Sequence, residues 1–158
     1  MRHAITTYLN DHLAGSVAAL ELVDYLVSLP GNPDRNPLTE LRTEIEDDQE
    51  VLQRLLRELG GKESQVRKAA AWLTEKLGQA KLRFDDHGNS DLRALEALET
   101  LGLGIQGKLS LWRALETVST AIPELSGLNL PQLQARAADQ FARVDALRLK
   151  VARATLLQ

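Results

Sequence analysis

Three acidic side chains fall on or beside helix faces that are otherwise apolar: Glu21, Glu44 and Asp48. At about 100° per residue, Asp48 lies in the middle of the stripe Leu41, Ile45, Leu52, Leu56 and Leu59, with Glu44 one turn earlier at its edge. Folding the first two helices about their turn brings Glu21 level with both. A buried carboxylate is costly, so each needs a cation, a metal ion or a raised pKa. Facing carboxylates inside a helical bundle can hold two metals when Glu-x-x-His motifs complete the donor set. The three histidines, His3, His12 and His87, supply no such motif. Glu21, Glu44 and Asp48 are therefore expected, at most, to be oxygen ligands for a divalent metal such as magnesium, manganese or calcium.

The competing expectation is a core ion-pair network. Glu99, Gln106, Arg113 and Glu116 fall on the inward side of the fourth helix, and Arg148 lies close to the stripe Leu133, Ala137, Val144 and Val151 of the last. Arg148 and Arg113 are thus candidate partners for Asp48 and Glu116, with Lys108 a further cation. In the first helix Asp24 falls within the stripe Leu9, Leu13, Ser16, Val17, Leu20 and Val27, flanked by Glu21 and His12. His12 reads as a surface or interface residue, and Trp72 and Trp112 as core or interface anchors.

The stretch GLGIQGKLS at 102–110 contains G-x-G-x-x-G (Gly102, Gly104, Gly107) and nearly a P-loop. Both motifs require a strand, a loop and then a helix N-terminus. Here the flanking sequence is helical, and Leu109 stands where a P-loop needs Ser or Thr. Leu95, Leu98, Gly102, Ile105, Leu109 and Trp112 continue one helical stripe through the motif. Gly104 and Gly107 join Leu103, Leu111, Ala114 and Val118 on a second small, apolar face. Each interior helical glycine costs up to about 1 kcal/mol relative to alanine. The expectation is close helix packing at Gly102, Gly104 and Gly107, with the glycine face against a crossover helix or another subunit.

The elements that must position these residues follow from composition and punctuation. The chain has 158 residues, 44% hydrophobic but only 4% aromatic, and it is dominated by strong helix formers. That length suits a single domain, 1–158, with a sizeable core. Helices are expected at about 6–28, 37–59, 64–83, 91–121 and 130–157, separated by LPGNPDRN, Gly60–Gly61, DDHGNS and Pro123. The third is shorter, so the natural arrangement is an all-α, four-helix bundle with a crossover helix at about 64–83. A crossover running back along the bundle leaves the helices on either side of it parallel.

Several function classes are excluded. No cysteine is present for disulfides, thiolate metal sites or nucleophilic catalysis. Net charge is −3, and Asp139 and Asp145 are interleaved with Arg136, Arg143, Arg148, Lys150 and Arg153, so no nucleic-acid partner is expected. The N-terminus lacks a signal peptide's apolar centre, and Glu21 and Asp24 interrupt the most apolar stretch. No membrane partner is expected, and the expected location is cytoplasmic.

The blocks YLNDHLAG (8–15) with Glu21, EIEDDQEVL (44–52), WLTEKLGQAKL (72–82) and GKLSLWRAL (107–115) resemble a bacterial family of ferritin-like helical bundles for which no activity is established. The resemblance spans almost the whole chain. It implies a ferritin-like four-helix core with a crossover helix, carboxylates at Glu21, Glu44 and Asp48, and no particular activity. The leading expectation is a non-enzymatic binding or interaction module, self-associating as a homo-oligomer or meeting a protein partner through the glycine face or the third helix. The alternative is a degenerate ferritin-like metal protein. A third reading is a small apolar ligand held between helices where Gly102 and Gly104 leave room.

Overall fold

The structure, a computed structural model, describes residues 2–61, 71, 75 and 90–157. Four long helices make it up: α1 (Arg2–Ser28), α2 (Arg35–Glu58), α3 (Ser90–Val118) and α4 (Leu130–Leu156), with a 3-10 turn at Pro123–Leu125. The described residues contain no strand, so the fold is all-helical, as the composition requires. The crossover helix expected at about 64–83 falls, but for Ala71 and Glu75, outside the described residues, as do Trp72 and His87.

Local chemistry sets the helix ends. At the end of α2, Gly60 has a φ of 77°. Its N–H donates to the Arg57 carbonyl at 3.0 Å, and that of Gly61 to the Leu56 carbonyl at 2.8 Å. That is a Schellman closure, which favours glycine because the left-handed backbone strains other residues. At the start of α4 the Asn129 side chain accepts from the Gln132 N–H at 3.1 Å, ahead of Pro131 in the first turn. Helix α3 stops at Val118, three residues before the expected end. There the Ser119 and Ala121 N–H groups turn to carbonyls three residues back, and the helix tightens ahead of Pro123.

Cross-helix pairs give the directions. Asp24 with Arg42, and Ser16 with Gln49, make α1 and α2 antiparallel. Glu99 with Arg148, and Glu116 with Gln134, do the same for α3 and α4. Asp34 with Lys150, Glu44 with Arg143 and Asp48 with Arg136 make α2 and α4 antiparallel. Helices α2 and α3 therefore run parallel. Helix α1 also packs on α3, whereas α2 and α4 meet mainly through long polar side chains.

The core divides into two apolar clusters. One gathers Leu9, Leu13, Leu52, Leu55, Trp112, Leu115 and Leu125. The other gathers Val23, Leu26, Leu38, Leu41, Leu98, Leu101 and Val144. Along α2 the buried Asp48 separates Ile45 from Leu52, and along α4 the buried Gln140 separates Ala137 from Val144. A polar layer thus sits between two apolar ones.

Some expected inward positions turn outward. Asp24 is exposed, and its carboxylate takes the Arg42 guanidinium at 2.6 Å. Glu99, Gln106, Arg113 and Glu116 are all exposed on α3. Helices α1 and α3 carry apolar residues around most of their circumference. Periodicity alone then does not fix the inward face, and charged groups at its edge turn to water.

Candidate polar layer and its cleft

Asp48 is the centre of the polar layer, with its side chain 2% exposed. Lys108 Nζ from α3 meets its Oδ2 at 2.6 Å, and Arg136 Nη2 from α4 contacts its Oδ1. Gln140, fully buried, joins the set. Its Nε2 donates to Glu44 Oε2 at 3.1 Å and to Asp48 Oδ2 at 3.3 Å, while its Oε1 accepts from Lys108 Nζ. Glu44 also takes Arg143, which lies 2.8 Å from Asp139. Three carboxylates (Asp48, Glu44, Asp139) thus balance three cations (Lys108, Arg136, Arg143).

Such pairing is what a buried carboxylate requires. Burial pulls the Lys108 ammonium below the ordinary lysine range, against the opposing attraction of Asp48, and the nearby Arg136 charge pushes the same way as burial. His12, on α1, is half-buried, and desolvation holds its imidazole below its usual pKa against the smaller pull of Asp11. Its ring meets Tyr8 edge-on, with centroids 4.7 Å apart.

Above this layer a cleft of about 180 Å³ opens between α1, α2 and α3. Helix α1 contributes His12, Gly15, Ser16 and Ala19, α2 contributes Ile45, Asp48 and Gln49, and α3 contributes Gly104, Ile105, Gly107, Lys108 and Leu111. A Cβ placed on Gly15, Gly104 or Gly107 would meet nothing within 4 Å. Gly102 differs: its Cβ would sit 3.6 Å from the Phe141 ring and 3.9 Å from Val144 Cγ1. Gly102 is buried facing α4, where an added Cβ would make ordinary contacts, while Gly104 is exposed and Gly107 half-buried at the cleft. Helix α3 continues unbroken through all three glycines, so they form no phosphate-cradling loop.

The expected site residues separate accordingly. Asp48 is in the core network, but Arg148, Arg113 and Glu116 are not among its partners. Arg148 pairs with Asp145 at 2.8 Å and Glu99 at 3.7 Å. Arg113 is exposed, and Glu116, also exposed, accepts from Gln134 at 2.8 Å. Arg113 and Glu116 point to solvent and Arg148 lies toward the other end of α4, whereas Lys108 and Arg136 sit at the level of Asp48. Arg136, Gln140 and Arg143 were missed as a set, although their i, i+4, i+7 spacing puts them on one face of α4.

The three expected metal ligands take separate places. No group of three His, Cys, Asp or Glu side chains gathers to hold an ion among the described residues. Glu21 is half-buried on α1 with interactions of its own, while Glu44 and Asp48 turn to cations of α3 and α4. Glu21, Glu44 and Asp48 therefore do not assemble as one donor set.

No family model matches the chain, and no curated protein or solved structure is similar to it.

Proposed function

We propose that this chain is a non-enzymatic binding module whose ligand site is the cleft between α1, α2 and α3. One observation carries the reading. Gly15, Gly104 and Gly107 come from two helices and open onto one cleft, and no atom of the described chain fills the space their side chains would take. Interior helical glycines are unfavourable by up to about 1 kcal/mol each relative to alanine. At Gly102 a Cβ would make ordinary contact with the Phe141 ring. At the other three it would enter open space, which larger side chains would occupy. The ion-paired layer beneath supports this, because charges paired across three helices hold the floor of the cleft in place.

The architecture fits the same reading. We propose a ferritin-like topology, supported by two antiparallel hairpins in which α2 and α3 run parallel. No helix among the described residues is long and apolar enough to cross a membrane. That, and the lack of cysteine, supports a cytoplasmic module meeting a small molecule rather than a membrane. Self-association through the glycine face is a second reading, favoured by Leu103, which is 75% exposed next to Gly104.

Xenon and toluene are suitable first probes, since a dry cavity of about 150 Å³ takes benzene or xenon. Saturable binding of either, lost in Gly104→Leu, is the expected result. Absence of binding, or binding unchanged in Gly104→Leu, overturns the cleft reading. A mass that rises with concentration and reverts to the monomer in Leu103→Lys supports self-association instead.

A further inference from the structure

We infer that the cleft selects a neutral molecule of about one ring that carries a single carbonyl or hydroxyl oxygen, seated on Lys108. The inference rests on the cleft being a ligand site and adds the chemistry of the ligand.

Size comes first. The cleft, at about 180 Å³, is slightly larger than the cavity of about 150 Å³ that binds benzene. Ala19, Ile45, Ile105 and Leu111 line it, so the body of the ligand is apolar. His12, Ser16 and Gln49 are half-buried at its walls, while Asp48 and Lys108, with side chains 2% and 12% exposed, form its floor and decide the rest.

An ammonium carries three N–H donors. Two on Lys108 are engaged, by Asp48 Oδ2 and Gln140 Oε1. The third has no acceptor among the described residues, although the side chain is only 12% exposed. A ligand oxygen would complete the set, and an unmet donor this deep is costly to leave. The carboxylate beside it offers little in return. Asp48 Oδ1 already accepts from Arg136, and Oδ2 from Lys108 and Gln140. The floor therefore donates and hardly accepts, which favours an acceptor over an amine.

Charge balance then excludes an anion. The three carboxylates and three cations of the layer cancel. A ligand carboxylate drawn to Lys108 would lie beside Asp48, which is 2.6 Å from the same Nζ, and would leave an uncompensated negative charge in a poorly solvated place. Asp11 at the rim adds to that repulsion, and the lowered pKa of His12 leaves it uncharged at neutral pH. A ligand ammonium would face Lys108 directly.

Four probes of one shape separate the cases: acetophenone, ethylbenzene, benzoate and benzylamine, each titrated into the full-length chain by ligand-observed NMR at neutral pH. Acetophenone should bind roughly tenfold tighter than ethylbenzene, as a hydrogen bond to a charged donor implies. Benzoate and benzylamine should bind more weakly than ethylbenzene. In Lys108→Met both neutral probes should bind equally. The wild-type series tests the inference even if that variant does not fold. Equal binding of acetophenone and ethylbenzene in wild type, or tightest binding of benzoate or benzylamine, overturns the ligand class and leaves the cleft standing. Failure of all four, or binding that persists in Gly104→Leu, overturns the cleft itself.

Discussion

Asp48 stands between cations from two different helices, and removing it leaves both without a counter-charge. Asp48→Ala should therefore destabilise the protein by about 3–5 kcal/mol, the range for stranding one partner of a buried pair. Urea denaturation measures it, with Asp24→Ala as the control. Asp24 is 54% exposed and pairs with Arg42 at the surface, so its loss should move the midpoint little. Near-equal midpoints for the two variants would refute a buried network. His12 offers a second test. Its folded pKa lies below 6.5, so the unfolded chain takes up the proton first as pH falls through that value. Stability should fall below pH 6.5 and level off once the folded imidazole also protonates. His12→Asn should flatten that slope in thermal melts, and an unchanged slope would assign it to other groups. Asp48 itself was legible in the sequence because α2 has one narrow apolar stripe among many charges, and a carboxylate in it is conspicuous. Its partners were not. A long cationic side chain reaches several positions, so which of Arg113, Arg136, Arg143 and Arg148 meets Asp48 depends on how α3 and α4 are rotated, and sequence spacing within one helix does not contain that rotation.

At the scale of the elements, helix ends were more legible than helix faces. Prolines and the Gly60–Gly61 pair act within a few residues, so their effects are local. The inward faces of α1 and α3 depend on neighbours. Each is apolar around most of its girth, and tertiary packing decides which arc is covered. The α3 glycines show the consequence. Sequence spacing groups Gly104 and Gly107 on one face, and Gly102 on another, but only the neighbours reveal that Gly102 meets Phe141 while the others meet open space. Gly104→Ala should consequently stabilise the protein by up to about 1 kcal/mol through helix propensity alone. The same change narrows the cleft, so probe binding should weaken as the melting temperature rises. Gly60→Ala should do the opposite and lower stability by about 1 kcal/mol, because a φ of 77° strains a residue with a Cβ. Chemical denaturation of the two variants side by side measures both. A destabilised Gly104→Ala would mean that something of this chain already fills the cleft.

At the scale of the molecule, the polar layer ties together helices whose backbones are far apart in sequence. Asp48 on α2 links to α3 through Lys108 and to α4 through Arg136, with apolar clusters on either side. A charged layer of this kind fixes axial register, since sliding one helix by a turn would separate every pair at once. It therefore fixes direction as well. The pairs Asp34 with Lys150 and Asp48 with Arg136 fit only if α2 and α4 are antiparallel, and with α3 antiparallel to α4 the parallel course of α2 and α3 follows. Helix α2 has 24 residues, so the end of α2 and the start of α3 should lie roughly 36 Å apart at 1.5 Å per residue. The chain has no native cysteine, so Glu58→Cys and Ser90→Cys introduce unique spin-label sites, both exposed. Pulsed electron-spin measurements should give a single separation of about 30–40 Å, set by helix length. A separation near 10 Å would mean that α2 and α3 form a hairpin, the up-down-up-down order of a simple bundle. In that order Lys108 could not share a level with both Asp48 and Gln140 while the other pairs stay in place, and the ligand-binding floor would be lost with it.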